Sequence, residues 1–287
     1  MKKFLVVLLT VVLAAGMISC GGAGGGEEQK DLKIISLSPN VTEILYAIGA
    51  GKYVVARSTW CTYPEEALAL EAVGDAYGVD TEKILALDPK YIFVAGTFGT
   101  DATTLTEAGI EIISVNGKTA EDLYDQITYL GSLTGCEAGA KDLNDSLKAQ
   151  LETLKGLIPA GEPKKIFLDW GYLYSSSKED FLGNTIEELG LENIAFDYEA
   201  SSPCLSAEAV IAANPEYYLA GSSEADFFKP EGFDDIAAFK NGNVLYFDYT
   251  DKRMDMITRM GPRFVDGLVE IAKLIYPEVD FSSAVSK

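Results

Sequence analysis

Hydrophobic and polar positions along the chain alternate between two regimes. Short apolar, β-branched runs at 33–37, 53–56, 91–95 and 111–115 predict strands, while 41–48, 81–87, 103–108 and 120–133 carry helical spacing. Asn40 followed by Glu43 predicts a capping-box start to the first helix, and Gly49 its stop. From 138 to 157, Leu143, Leu147, Leu151 and Leu154 recur every three or four positions, which predicts one long helix with a single apolar stripe. Ile158-Pro159-Ala160-Gly161-Glu162-Pro163 then breaks the chain. A second strand–helix series follows over 165–169, 185–189, 193–196, 207–213, 217–220 and 244–247, closed by a helix over 263–275. Strands alternating with helices predict an α/β fold with largely parallel sheets in two lobes, the long helix lying between them.

Glu82–Tyr91 (EKILALDPKY) and Glu208–Tyr217 (EAVIAANPEY) form an internal repeat, with Glu, Ala, Pro and Tyr in register. In each copy a capping residue, Asp80 or Ser206, precedes a helix; Pro ends it, and Tyr opens a strand. Two lobes of the same build are the simplest account.

Composition then narrows the chemistry. The formal net charge of −21 repels phosphate backbones and excludes nucleic acid as a partner. The chain has no histidine, which removes every Ser-His-Asp or Cys-His triad and every histidine-ligated zinc site. The glycines at 21–26 follow no strand, Gly51-Lys52 is continued by Tyr53 rather than Ser or Thr, and G-x-S-x-G is absent, so dinucleotide, P-loop and hydrolase-elbow signatures all fail. Asp234-Asp235 reads as a solvated helix start rather than a metal site, and no metal ligand set is expected.

Residues 1–19 read as an export signal: Lys2 and Lys3 precede an apolar run from Phe4 to Ile18, which is shorter than the roughly 20 residues a spanning helix needs. Met17-Ile18-Ser19-Cys20 resembles the lipobox of bacterial lipoproteins, with Met17 where Leu is usual. That resemblance implies cleavage before Cys20, lipidation of its sulfur, and a glycine-rich tether over 20–31. Cys61, Cys136 and Cys204 remain, an odd number without metal-type spacing. Export would permit one disulfide, and whether Cys61 and Cys204 meet across a cleft is left open.

In α/β sheets, ligands bind outside the carboxyl ends of the strands. The segments that follow predicted strands here are rich in aromatic, polar and glycine residues: Ser38 and Asn40, Arg57 and Trp60, Tyr77, Phe98, Trp170 and Tyr172, and the loop from Tyr249 to Arg259 with Arg253. Trp and Tyr faces suit a large, flat, partly apolar ligand; packing between lobes is the alternative for the two tryptophans.

Ile34–Gly51, Trp60–Pro64, Val73-Gly74, Glu82–Pro89 and Gly261–Leu268 together resemble class III periplasmic substrate-binding proteins, the cobalamin, ferric-siderophore and haem receptors of ABC importers. The resemblance covers nearly the whole exported chain. It implies two Rossmann-like α/β lobes with central, mostly parallel sheets, here 32–136 and 161–287. One long rigid helix over 137–160 would join them, with the ligand cleft between. The expected ligand is a ferric chelate or corrinoid packed on cleft aromatics, with Arg57, Arg253 and Arg259 offsetting a negative complex; surface pairing with the nearby Asp251 and Asp255 is the alternative for these arginines. No catalytic residue and no resident cofactor are implied. Glu82 and Glu208, one per lobe, would dock a permease dimer that carries its own ATPase subunits. The protein would be a monomer anchored by lipid on the outer side of a bacterial membrane. Thr62 stands where the family usually has Asp. A surface lipoprotein enzyme, an adhesive surface protein, or a receptor of the same fold for an oxyanion are the competing readings.

Overall fold

The computed structural model describes residues 31–75, 78–96, 98, 102–248 and 250–285. The first lobe is built on β1 (Ile34–Ser36), β2 (Val54–Arg57), β3 (Glu71–Ala72), β4 (Tyr91–Val94) and β5 (Glu111–Ser114), interleaved with α1 (Pro39–Ala47), α2 (Thr81–Leu87) and α3 (Ala102–Glu107). All pairings are parallel, in the order β3-β2-β1-β4-β5. α4 (Ala120–Thr134) and α5 (Glu137–Leu157) follow.

The second lobe contains β6 (Lys164–Asp169), α6 (Phe181–Glu187), β7 (Leu191–Asn193), α7 (Ala207–Ala213), β8 (Tyr217–Ala220), α8 (Ala237–Lys240), β9 (Val244–Tyr246), α9 (Lys252–Thr258) and α10 (Phe264–Ile275). Its sheet is also parallel, in the order β7-β6-β8-β9. The expected architecture of two parallel-sheet α/β lobes is therefore the observed one.

The periodic leucines explain α5. Leu147, Leu151 and Leu154 are buried on one face of a 21-residue helix, about 30 Å long at 1.5 Å per residue. One apolar core runs through both lobes by way of α4, α5 and α10, joining Ile34, Val41 and Phe93 to Leu151, Ile166, Leu219 and Leu268. A second cluster around Tyr218 fills the outer side of the second sheet, and a third around Ile35 and Ile92 that of the first.

The sequence repeat is a structural repeat at a constant spacing. α2 and α7 start at 81 and 207, β4 and β8 at 91 and 217, and both helices end on a left-handed residue, Asp88 (φ 50°) and Asn214 (φ 49°). Their caps match too: Asp80 Oδ1 accepts from the Lys83 N–H and Ser206 Oγ from the Ala209 N–H, each at 3.1 Å.

Four local expectations are corrected. α1 begins at Pro39 after Ser38, and no side chain caps it; the Glu43 carboxylate, expected to fold back on the helix start, leaves for tertiary partners. The strand expected over 193–196 is β7 at 191–193, because Asn193 turns the chain by accepting the Ala195 N–H at its side chain. The helix over 185–189 starts at Phe181, where Asp180 accepts the Gly183 N–H. The segment expected as a loop through Arg259 contains α9, which Asp251 starts by accepting the Arg253 N–H.

Candidate functional site

The carboxyl ends of β1, β4 and β5 open onto a cleft of about 320 Å³ lined by Ser38, Asn40, Ala95, Asn116, Arg259 and Met260, among others. Ser38, Asn40 and Asn116 come from the first lobe. Arg259 and Met260 come from the turn between α9 and α10 in the second, so the cleft is walled by both. It continues into a space of about 630 Å³ between Asn116–Lys118 and Glu179–Phe181, where Lys118 of the first lobe pairs with Glu179 of the second. Lys118 lowers the Glu179 carboxyl through that hydrogen bond. A separate groove of about 650 Å³ lies away from the strand ends, against Lys155, Pro159, Glu188 and Tyr276.

Beneath the first-lobe wall sits a buried polar knot. Thr42 Oγ1 lies 2.8 Å from Ser36 Oγ and 3.0 Å from Cys61 Sγ, and the Cys61 thiol points to the Ser36 carbonyl at 3.6 Å. Burial pushes the Cys61 thiol up, so it stays protonated and packs as a small, weakly polar group. The Ser58 hydroxyl accepts the Trp60 N–H. The loop after β2 is thereby held while Trp60 stays 63% exposed, its indole N–H directed at Asp75 over 3.3 Å.

The second lobe uses a carboxylate to the same end. Asp169, at the end of β6, is buried and accepts the N–H groups of Gly171 (2.8 Å) and Leu173 (3.0 Å) on Oδ1 and the Tyr218 hydroxyl (2.6 Å) on Oδ2. Gly171, Tyr172 and Leu173 all have positive φ, so the loop turns sharply and projects Tyr172 to 77% exposure. Strain of this kind persists only where surrounding bonds over-determine it. The ring of Phe228, itself 62% exposed, lies 6.1 Å from that of Tyr172 at 32°.

Ser38, Asn40 and Arg259 thus line one cleft, and Trp60 and Tyr172 stand exposed at the ends of β2 and β6. Trp170 turns inward instead: it packs against the central core and gives its indole N–H to Ser176 at 2.9 Å, as the packing alternative had it. Phe98 packs on the first-lobe core. Arg57 donates to the Ser58 carbonyl. Arg253 is clamped by Asp251 (2.6 Å) above the Phe247 ring, and Arg259 is bound by Asp255 (2.7 Å) and Glu43 (3.0 Å). Two of the three arginines expected to meet a ligand are therefore neutralised by carboxylates of this chain. Tyr77, Tyr249 and Cys20 lie outside the described residues. Cys61, Cys136 and Cys204 are free, and no group of three or more potential metal ligands occurs among the described residues.

Glu82 and Glu208 are exposed at equivalent positions in the first turns of α2 and α7. The Glu208 carboxyl is lowered by its own backbone N–H and the Ser206 hydroxyl, which keeps it ionised.

Sequence reasoning missed Glu43, Arg263, Phe228 and the Asp169–Tyr218 pair. Arg263 was visible only as part of a family-like stretch, and Phe228 sits in an irregular segment without periodicity.

Residues 34–249 match the periplasmic binding protein family. The chain belongs to that family. Over 259 residues it is 31% identical to an uncharacterized ABC transporter substrate-binding lipoprotein, YvrC, of Bacillus subtilis, covering 86% of this chain and 80% of the relative. It is 29% identical over 210 residues to the vitamin B12-binding protein of Pectobacterium atrosepticum, covering 70% and 75%. Among solved structures, a possible iron-binding (periplasmic solute-binding) protein of Staphylococcus epidermidis superposes with a TM-score of 0.75 at 28% identity, over 85% of this chain and 98% of that one.

Proposed function

We propose that this periplasmic binding protein is the extracytoplasmic receptor of an ABC importer, held at a bacterial membrane by lipid on Cys20. It takes an iron chelate or corrinoid into the cleft between its lobes and passes it to a permease dimer with its ATPase subunits. The relatives named above, for vitamin B12 and for iron, support that ligand class. The observation that carries the reading is the cleft itself. It opens at the carboxyl ends of parallel strands, has walls from both lobes, and stands in a fold whose strand ends display Trp60, Tyr172 and Phe228 to solvent. Large exposed rings are costly to leave in water and bind flat apolar surfaces at about 25 cal/mol per Å² buried. Membership of the periplasmic binding protein family supports a role in binding and release rather than in making bonds. Glu82 and Glu208, repeated on the two lobes, suit a partner that is itself two-fold.

A thermal-shift panel tests the ligand class, using cyanocobalamin, cobinamide, haemin, ferric hydroxamates, ferric catecholates and molybdate. A ligand at 100 times its dissociation constant adds about 2.7 kcal/mol, a readily visible shift. A selective shift with one chelate or corrinoid supports the reading. A response to molybdate alone would replace it with an oxyanion receptor, and silence across the panel would remove this ligand class.

A further inference from the structure

Glu43 is a deeply buried acid beside the cleft, its side chain 1% exposed, and it sits on α1 of the first lobe. The partners of its carboxylate, Arg259 and Arg263, belong to the second lobe. Arg263 donates from Nη2 to Oε1 at 2.7 Å and from Nε to Oε2 at 2.8 Å, and Arg259 donates from Nη1 to Oε1 at 3.0 Å. Each arginine has a further anchor: Arg259 pairs with Asp255, and the Arg263 guanidinium lies 4.0 Å from the centre of the Tyr63 ring, back in the first lobe. Gly261, between them, comes so close to α1 that a Cβ added there would stand 3.8 Å from Asn40 and 3.7 Å from the Glu43 carboxylate.

The central apolar core also joins the lobes, but apolar packing is non-directional and tolerates small sliding. A bidentate guanidinium–carboxylate pair tolerates neither rotation nor slip. The cost of burying this carboxylate is recovered only while arginines pair with it, chiefly Arg263, which holds both oxygens, and secondarily Arg259. The second contact across the cleft, Lys118–Glu179, has both side chains partly in solvent and lacks this constraint.

We infer that Glu43 is a positioning residue that pins the Arg259–Arg263 turn onto α1, and so fixes the angle between the lobes and the shape of the shared cleft wall. Arg259 and Met260 line the cleft beside Ser38 and Asn40, so a slip of this turn moves ligand-facing groups directly. The inference goes beyond the proposed ligand class and holds whichever solute occupies the cleft.

The test measures the distance between lobes in the ligand-free protein. Spin labels on ketone-bearing residues at positions 107 and 231, one exposed site in each lobe, leave the native cysteines untouched. The wild type should give one narrow distance distribution. Glu43→Ala and Glu43→Gln should broaden it and lengthen its mean by several ångströms. Arg259→Gln should broaden it less, because Arg263 still holds both carboxylate oxygens; Arg259→Lys should restore part of the narrowing. A merely structural role would lower the melting temperature of Glu43→Gln while leaving the distribution as narrow as in the wild type, and that result would overturn the inference. If the Glu43 variants fail to fold, Arg259→Gln decides: a folded protein with an unchanged distribution overturns it, a broadened one supports it. Because no ligand is added, failure here leaves the ligand reading standing, and a silent ligand panel leaves the pin standing.

Discussion

The Tyr218 hydroxyl lies 2.6 Å from Asp169 Oδ2, joining β8 to the end of β6 inside the second lobe. The other carboxylate oxygen is taken by two backbone N–H groups of the loop that projects Tyr172, so one buried contact braces a candidate ligand-binding side chain. Tyr218→Phe removes one of three donors to a buried carboxylate. A hydrogen bond to a charged group contributes about 1.5–3 kcal/mol, so urea unfolding should show a loss of that order. Limited proteolysis should show faster cutting near 170–174. Wild-type stability and protection would contradict the bracing role.

Tyr124 predicts the opposite sign at neutral pH. Its hydroxyl is buried without a hydrogen-bond partner among the described residues, so Tyr124→Phe should be neutral or slightly stabilising at pH 7. Burial first, then Glu121, pushes this phenol up to about 12, from 10.0. A proton held more tightly in the fold adds stability that is complete below the unfolded value and is lost as pH climbs through the folded one. Tyr218 shifts in the same direction, by burial and then by Asp169. The urea midpoint should therefore fall between about pH 10 and 12. Tyr124→Phe should flatten part of that fall.

The paired left-handed residues Asp88 and Asn214 separate two effects in one conformation. A left-handed backbone costs a non-glycine residue roughly 1–2 kcal/mol, less for Asp and Asn. Asp88→Gly should raise stability by a few tenths to about 1 kcal/mol, because glycine adopts this conformation freely. Asn214 also accepts the Ala237 N–H at 2.9 Å at the start of α8. Its glycine variant loses that cap, worth about 1 kcal/mol, and should show no net gain. Thermal melts of the two variants side by side check the difference.

Trp60 and Tyr172 are exposed, so replacing either by alanine should leave stability within about 0.5 kcal/mol. Titration with whichever panel compound binds should show an affinity loss of about tenfold for each, equal to 1.4 kcal/mol. Trp170→Ala should cost stability as well, since that ring packs against the core. Equal affinities for wild type and both exposed-ring variants would place the ligand elsewhere.

Glu82→Ala combined with Glu208→Ala should leave ligand affinity intact and abolish stimulation of the permease's ATPase in a reconstituted complex. Each single change should weaken stimulation in part, since the docking point on the other lobe remains. Full stimulation by the double variant would end the docking assignment.

Much of the frame was legible in the amino-acid order. The alternation of strand and helix patterns, the leucine stripe of α5 and the repeat of α2–β4 in α7–β8 all rest on periodicities of two or three to four residues, which neighbours along the chain enforce. Family-like stretches extended that reading to a cleft, but the roles of individual residues were less visible. For Arg253 and Arg259 the sequence left ligand contact and pairing with Asp251 and Asp255 both open; the structure pairs them with those acids and adds Glu43 to Arg259. Asn40 and Glu43 have the spacing of a capping box, yet the helix starts earlier and the carboxylate points away. α9 was missed because its apolar residues, Met254, Met256 and Ile257, do not recur at one helical spacing.

The sequence by itself therefore determined the α/β alternation, the two-lobe repeat, the matched positions of Glu82 and Glu208 and the absence of histidine chemistry. These are properties of composition and of short-range spacing. Only the tertiary structure decided that Glu43 meets Arg259 and Arg263, 216 and 220 residues further along, or that Trp170 packs while Tyr172 projects. A carboxylate carries no local signal of its partner. Which cation it meets depends on which turns the two sheets bring together, and that follows from the packing of the whole core.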